Sequence, residues 1–114
     1  MNYQMQLNKK PFELIKSGKK TIELRLNDEK RKVIKVNDTI TFTNRENQAE
    51  SITAKVINLH YFDSFKDLYG VLPLEKCGYL KEEISTASHL DMLSYYSITQ
   101  QALYGVVGIE IKLI

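Results

Sequence analysis

Tryptophan is absent from the 114 residues, cysteine occurs once, proline and histidine twice each, and glycine five times. A single cysteine, Cys77, excludes a disulfide within the chain, and His60 and His89 supply too few ligands for a zinc constellation. Cys77 stands between Lys76 and Gly78, neither of which is a base, so it reads as a small core residue rather than a nucleophile. No metal and no cofactor are expected. No apolar run approaches the roughly 20 residues that span a bilayer. The start, Met1-Asn2-Tyr3-Gln4-Met5, lacks the basic and apolar regions of a signal peptide. The expectation is a cytoplasmic protein with no membrane partner. Repeats, linkers and low-complexity tracts are missing as well, so residues 1–114 read as a single domain.

What is present is a chain 43% hydrophobic, enough for a single core, with a formal net charge of +2. That charge does not by itself require an anionic partner. Its distribution is uneven, because the first third holds Lys9, Lys10, Lys16, Lys19, Lys20, Arg25, Lys30, Arg31, Lys32 and Lys35. Such a run can track a phosphate backbone, or can simply form a solvated face.

The local patterns predict α+β structure. Tyr3 to Leu7 alternates as a strand, Asn8 offers an N-cap to a short helix beginning near Pro11, and Gly18 ends it in the left-handed conformation. From Thr21 to Leu26, Ile22, Leu24 and Leu26 point one way and Thr21, Glu23 and Arg25 the other, giving one apolar and one polar face. A strand is predicted over Thr39–Thr43, a hairpin loop over Asn44–Glu50, and a long strand from Ser51 whose apolar phase shifts at Ile57, as a bulge would make it. Ser64 and Ser97 open capping boxes for short helices closed by Gly70 and Gly105. Lys81–Ile84 and Leu90–Tyr95 read as helical, with irregular structure before them. Val106 to Leu113 reads as a central strand. About five strands with short helices favour a small mixed barrel, because parallel crossovers would need longer helices.

Three stretches are similar to the ASCH family (activating signal cointegrator homology), small β-barrel domains related to the PUA fold. They are Pro11 to Arg25 with its Gly18-Lys19-Lys20-Thr21-Ile22-Glu23-Leu24-Arg25 core, Tyr61-Phe62-Asp63-Ser64-Phe65, and Tyr104 to Ile111. The resemblance implies a PUA-like barrel of five to six strands, a cleft lined by Gly18–Arg25, and RNA binding. A bacterial branch acts as an amidohydrolase on N4-acetylcytidine through a lysine, a threonine, a later glutamate and a neighbouring arginine. Lys20 and Arg25 match its lysine and arginine. Glu23 stands where its threonine would be, and the later glutamate falls in a region holding Glu75, Glu82 and Glu83, among which local sequence does not choose.

The chemistry of the segment fits recognition. Arg25 presents a planar fork of donors suited to phosphate, carboxylate or a base edge, and Glu23 on the same face can orient it. The same spacing also describes a plain ion pair on an exposed sheet face, worth about 0–1 kcal/mol. An ideal strand would turn Lys20 away from Glu23, so cooperation between them requires a distortion near Gly18. Lys19 and Thr21 are supporting ligand residues, and Tyr61 is a candidate stacking platform, with Tyr95 and Tyr96 as other aromatic neighbours. The expected function is binding of RNA, or of a nucleoside or nucleotide, through Lys19, Lys20, Thr21, Glu23, Arg25 and Tyr61. The alternatives are a small amidohydrolase of N4-acylated cytidines, or a weak ribonuclease, using Lys20, Glu23 and Arg25, and a module that binds a protein partner.

Overall fold

Arg45 and Glu46 make the tightest turn of the chain, and they do so because Asn44 folds its own side chain into it. The buried Asn44 Oδ1 accepts from the Glu46 amide at 3.0 Å, while Nδ2 donates to Glu50 at 3.0 Å. The expected loop over Asn44–Glu50 is therefore only a turn. In the computed structural model, which describes residues 1–114, β3 (Thr39–Asn44) passes directly into the long β4 (Asn47–Phe62).

Around this hairpin the chain runs β1 (Asn2–Leu7), α1 (Lys9–Lys16) and β2 (Ile22–Leu26) before it, and α2 (Phe65–Tyr69), α3 (Ile98–Tyr104) and β5 (Val106–Leu113) after it. The five strands form one mixed, curled sheet in the order β1-β3-β4-β5-β2, parallel only between β1 and β3. The expected small α+β barrel of five to six strands is present as a five-stranded curled half-barrel, and β5 is an interior strand. The predicted bulge is also present, as a register shift in the β4–β5 pairing between Val56 and Asn58. The capping box at Ser97 is complete, Ser97 accepting from the Gln100 amide and Gln100 from the Ser97 amide, while at Ser64 only the bond from the Asp67 amide to Ser64 forms. Asn8 occupies the N-cap position of α1 without a side-chain bond to the helix; its Oδ1 instead accepts from Arg45 at 3.5 Å.

Between α2 and α3 the chain makes three short 3₁₀ turns, Leu74–Cys77, Lys81–Thr86 and His89–Ser94. The first falls in a stretch expected to be irregular, and Ser88 caps the last. No helix is long and apolar enough to cross a membrane.

The single expected core is in fact two. Inside the curl, Val107, Ile109 and Ile111 of β5 pack with Phe12, Ile15, Ile40, Phe42 and Val56. Outside it, Ile22, Leu24 and Leu26 of β2 pack with Phe65, Leu68, Met92 and Val106 beneath α2 and the 3₁₀ turns. The split follows from β5 alternating its side chains between two covered faces. Gly108 sits on the outer face, where a Cβ would lie 2.8 Å from Leu72 Cδ1 and 3.2 Å from Ile22 Cγ2. Gly108→Ala is expected to lower stability by about 1–3 kcal/mol through overpacking, read as a fall in the denaturant midpoint at unchanged m-value.

Candidate functional site

Glu23 and Arg25 face inward. Their register partners across β2 and β5 are Ile109 and Val107, and residues directly opposite in an antiparallel pair share a face. Of the two readings of this polar face, an exposed ion pair or a cleft lining, the structure excludes the exposed sheet, since the face is turned to the concave side of the curl. Glu23 is only 4% exposed. The apolar face, Ile22, Leu24 and Leu26, lies beneath the second core.

Lys20 reaches the same point from outside the strand. Gly18 takes φ +81° after α1, and the amides of Lys19 and Lys20 both donate to the Leu14 carbonyl at 3.0 Å. The Thr21 amide donates to Lys76 O at 2.9 Å, and Thr21 O accepts from the Ile111 amide at 2.9 Å. These bonds fix an elbow ahead of β2, so strand alternation does not govern Lys20. Its stem passes over Gly78, where φ is +109° and a Cβ would crowd Lys20 Cδ at 3.2 Å. The ammonium then sits 2.8 Å from Glu23 Oε1.

On the other side, Arg25 Nε donates to Glu23 Oε2 at 2.8 Å, and Nη2 donates to the Gln6 carbonyl at 3.2 Å. Gln6 belongs to β1 and Arg25 to β2, the two edges of the sheet, so this guanidinium bridges the seam where the barrel fails to close. Burial opposes ionisation of Glu23 and is the largest influence on it. The Lys20 and Arg25 charges, with the hydrogen bonds they donate, outweigh that burial and bring its pKa to about 2. Burial likewise opposes the charge of Arg25, yet Glu23 and then the adjacent Tyr96 raise its pKa.

This cluster is part of the lining of a cleft of about 630 Å³, a size that suits a small ligand. Lys10, Lys20, Arg25 and Arg45 supply four cations to the lining, and Glu23, Glu83 and Asp91 three carboxylates, a balance of one positive charge. Glu83 is the acid of the 3₁₀ region that joins the cleft, whereas Glu75 and Glu82 do not line it. Glu83 accepts from the Leu80 amide at 2.7 Å and meets Lys10 at 3.4 Å. Tyr79 donates to Asp91 at 2.7 Å, which leaves Tyr69 as the donor in the 2.8 Å contact between the two phenols. Burial and these two bonds push the Tyr79 pKa up. Tyr96 lies on the buried Phe65 with ring centroids 5.9 Å apart and planes 17° apart, and Tyr95 stands at the rim.

Of the residues expected to bind a ligand, the structure brings Lys20, Glu23 and Arg25 together. Lys19 and Thr21 do not line the cleft, because both are used in building the elbow through their backbones. Tyr61 lies in a separate cavity of about 640 Å³ beside Phe62 and Tyr104. Several of the early basic residues are occupied: Lys16 meets Glu50 at 3.3 Å, Arg31 meets Asp28 at 3.1 Å and Lys32 meets Glu29 at 3.6 Å. Cys77 is buried in the second core, and that burial pushes its thiol up to about 11. Tyr69, Tyr79 and Asp91 escape sequence reasoning, since only the packing of the 3₁₀ turns brings them to β2.

A family model described as the ASCH domain matches residues 5–114. A crystal structure of the hypothetical protein PH0355 is similar over 100% of both chains, at 34% identity and a TM-score of 0.80. The solution structure of protein PF0455 from Pyrococcus furiosus is similar over 100% of this chain and 98% of its own, at 31% identity and 0.75. The ASCH structure from Zymomonas mobilis shares the fold at 14% identity and a TM-score of 0.66, over 96% of this chain and 65% of its own. No curated protein matches the chain by sequence.

The geometry makes Glu23 an acid-sensitive keystone. Its folded pKa lies near 2 against an ordinary 4.5, so the unfolded state binds more protons between those values. The stabilisation is present above pH 4.5, on the order of 3 kcal/mol, and is lost as pH falls towards 2. Glu23→Gln is expected to cost about 3–5 kcal/mol at pH 7, because two buried cations lose their partner. Denaturant titrations between pH 2 and 7 should then show a flatter acid limb for the variant than for the wild type.

Proposed function

The chain belongs to the ASCH domain family, and from that premise we propose that the cleft at the barrel seam binds RNA through one nucleotide-sized unit, or binds the free nucleotide. The observation that carries this reading is the buried Lys20–Glu23–Arg25 cluster within a small-ligand cleft walled by tyrosines. The resemblance drawn from Gly18–Arg25 implied RNA binding, and the geometry of that segment supports it in three ways. Lys20 keeps ammonium hydrogens beyond the one given to Glu23, and the five-donor fork of Arg25 commits Nε to Glu23 and Nη2 to Gln6 with the Tyr96 hydroxyl beside it, which leaves donors over. Both cations are held in place before a ligand arrives, which lowers the ordering cost of binding. Phosphate oxygens and base-edge carbonyls are the acceptors such donors suit.

The charge balance gives the reading a quantitative form. One surplus positive charge matches about one phosphate rather than a tracked backbone. The log of the binding constant for a short single-stranded RNA should therefore fall with log salt at a slope near −0.7, not at the several-fold steeper slope of a protein covering many phosphates. Arg25→Ala should weaken binding by about 10- to 100-fold, the worth of a charge-assisted hydrogen bond, with folding checked by circular dichroism. Thermal shift across RNA oligomers, nucleosides and nucleotides is the first measurement, because a ligand of the native state raises the melting temperature. Salt-independent binding, or none by any of these ligands, would overturn the reading.

A further inference from the structure

We propose that the cleft holds its ligand chiefly by a single heteroaromatic base, stacked on Tyr96 beneath the rim residue Tyr95, with room electrostatically for one phosphate beside it. The inference rests on the nucleotide-binding reading above and specifies which part of the ligand is gripped. Tyr96 is half-buried, and one face of its ring lies almost parallel on Phe65, itself fully buried. A ring backed by a core residue keeps its plane, which is what a stacking platform requires. Because Tyr96 lines the cleft, its uncovered surface is turned there. Tyr95 follows at 6.4 Å and 49°, 66% exposed, and borders the platform as a tilted second ring.

The polar groups agree with this placement. Tyr96 is adjacent to Arg25, so a base lying on Tyr96 directs its edge to the Lys20–Glu23–Arg25 floor, where two cationic donors flank a carboxylate acceptor. Base edges carry both acceptors and amino donors, so such a mixed floor is complementary to them, whereas a bare phosphate has no use for the carboxylate. Lys10 is already paired with Glu83, and the cations of the lining exceed its carboxylates by one, which suits one phosphate rather than a run of them. The ligand chemistry is base plus one phosphate, shared by a free nucleotide and an unstacked nucleotide at the end of an RNA strand.

The test uses the full chain titrated with the four nucleoside 5′-monophosphates, ribose 5-phosphate, and a single-stranded hexanucleotide with and without a 5′-phosphate. With no tryptophan in the chain, emission comes from its seven tyrosines, and the quenching that Tyr96→Leu removes reports stacking at that ring. At least one monophosphate or the hexanucleotide should bind with quenched tyrosine emission, and ribose 5-phosphate should bind about ten-fold more weakly or worse. Tyr96→Leu should lose about 5- to 100-fold in affinity while Tyr96→Phe retains it. Tyr95→Ala, at an exposed position, should lose less and stay folded; should Tyr96→Leu fail to fold, Tyr95→Ala and the ligand series decide. Binding of monophosphates alone supports a free nucleotide, and binding of the hexanucleotide alone supports an RNA end. Equal affinity for ribose 5-phosphate and the monophosphates, with both tyrosine variants unaffected, would overturn the stacking inference and leave the anion-binding cleft standing. No binding in any arm would overturn both.

Discussion

A carboxylate taken out of water between two cations organises this molecule. Isolated, a buried Glu23 would cost several kcal/mol of lost hydration, and Lys20 and Arg25 held close together without it would repel. Assembled, the three groups satisfy one another at 2.8 Å on both carboxylate oxygens. The arrangement demands more than β2 alone provides. It needs the Gly18 elbow to deliver Lys20, the Leu74–Cys77 turn to receive the Thr21 amide, and Gly78 to let the lysine stem pass. Disturbing the charge cluster therefore disturbs the junction of α1, β2 and the 3₁₀ turns together.

The cluster also explains how a sheet that does not close remains stable. β1 and β2 are edge strands, and unpaired edges are places where chains aggregate or bind. Here Arg25 spans the gap to the Gln6 carbonyl, substituting one charge-assisted hydrogen bond for a strand ladder. The gap that persists is the cleft, with α1 on one side and the 3₁₀ segment on the other. A closed barrel would have filled this space with apolar side chains, as the interior beneath Val107 and Ile109 is filled. The open seam is what allows ionised groups to sit at the inner face while still lining a cleft.

Much of this was legible locally. The serine caps, the phase shift at Ile57 and the alternation of β2 all encode short-range geometry, and each corresponds to a feature of the fold. Alternation says that two faces differ, however, and not which of them meets water. The spacing of Glu23 and Arg25 fits a surface pair as well as a cleft, because the 3₁₀ turns that cover them lie far away in sequence. Lys20 was ambiguous for a related reason: its direction depends on backbone bonds to Leu14 and Lys76, not on its own neighbours. The segment from Leu74 to Ser94 carries little periodicity, since turns of four to six residues never repeat a face. Tyr79 and Asp91 are accordingly invisible to local reading, and Glu83 is not distinguished there from Glu75 and Glu82. Tyr61 lies at the other cavity, since a strand-end aromatic is equally at home beside either.

The electrostatics of the cleft bear on whether it moves protons or holds charge. A general base works best with a pKa near the operating pH, and a nucleophilic cysteine needs a depressed one. Glu23 is displaced in the opposite sense from a base, to about 2, and Cys77 in the opposite sense from a nucleophile, to about 11. Tyr79, committed to Asp91, moves further from ionisation as well. Environments that drive acids down and thiols up fix each group in one protonation state across the physiological range. Fixed charges in a preformed concavity are what recognition requires, because their orientation is settled before the ligand arrives and their strength does not vary with small changes of pH. Glu23 thus stands as a fixed counter-ion, and it holds the two cations beside it in one orientation.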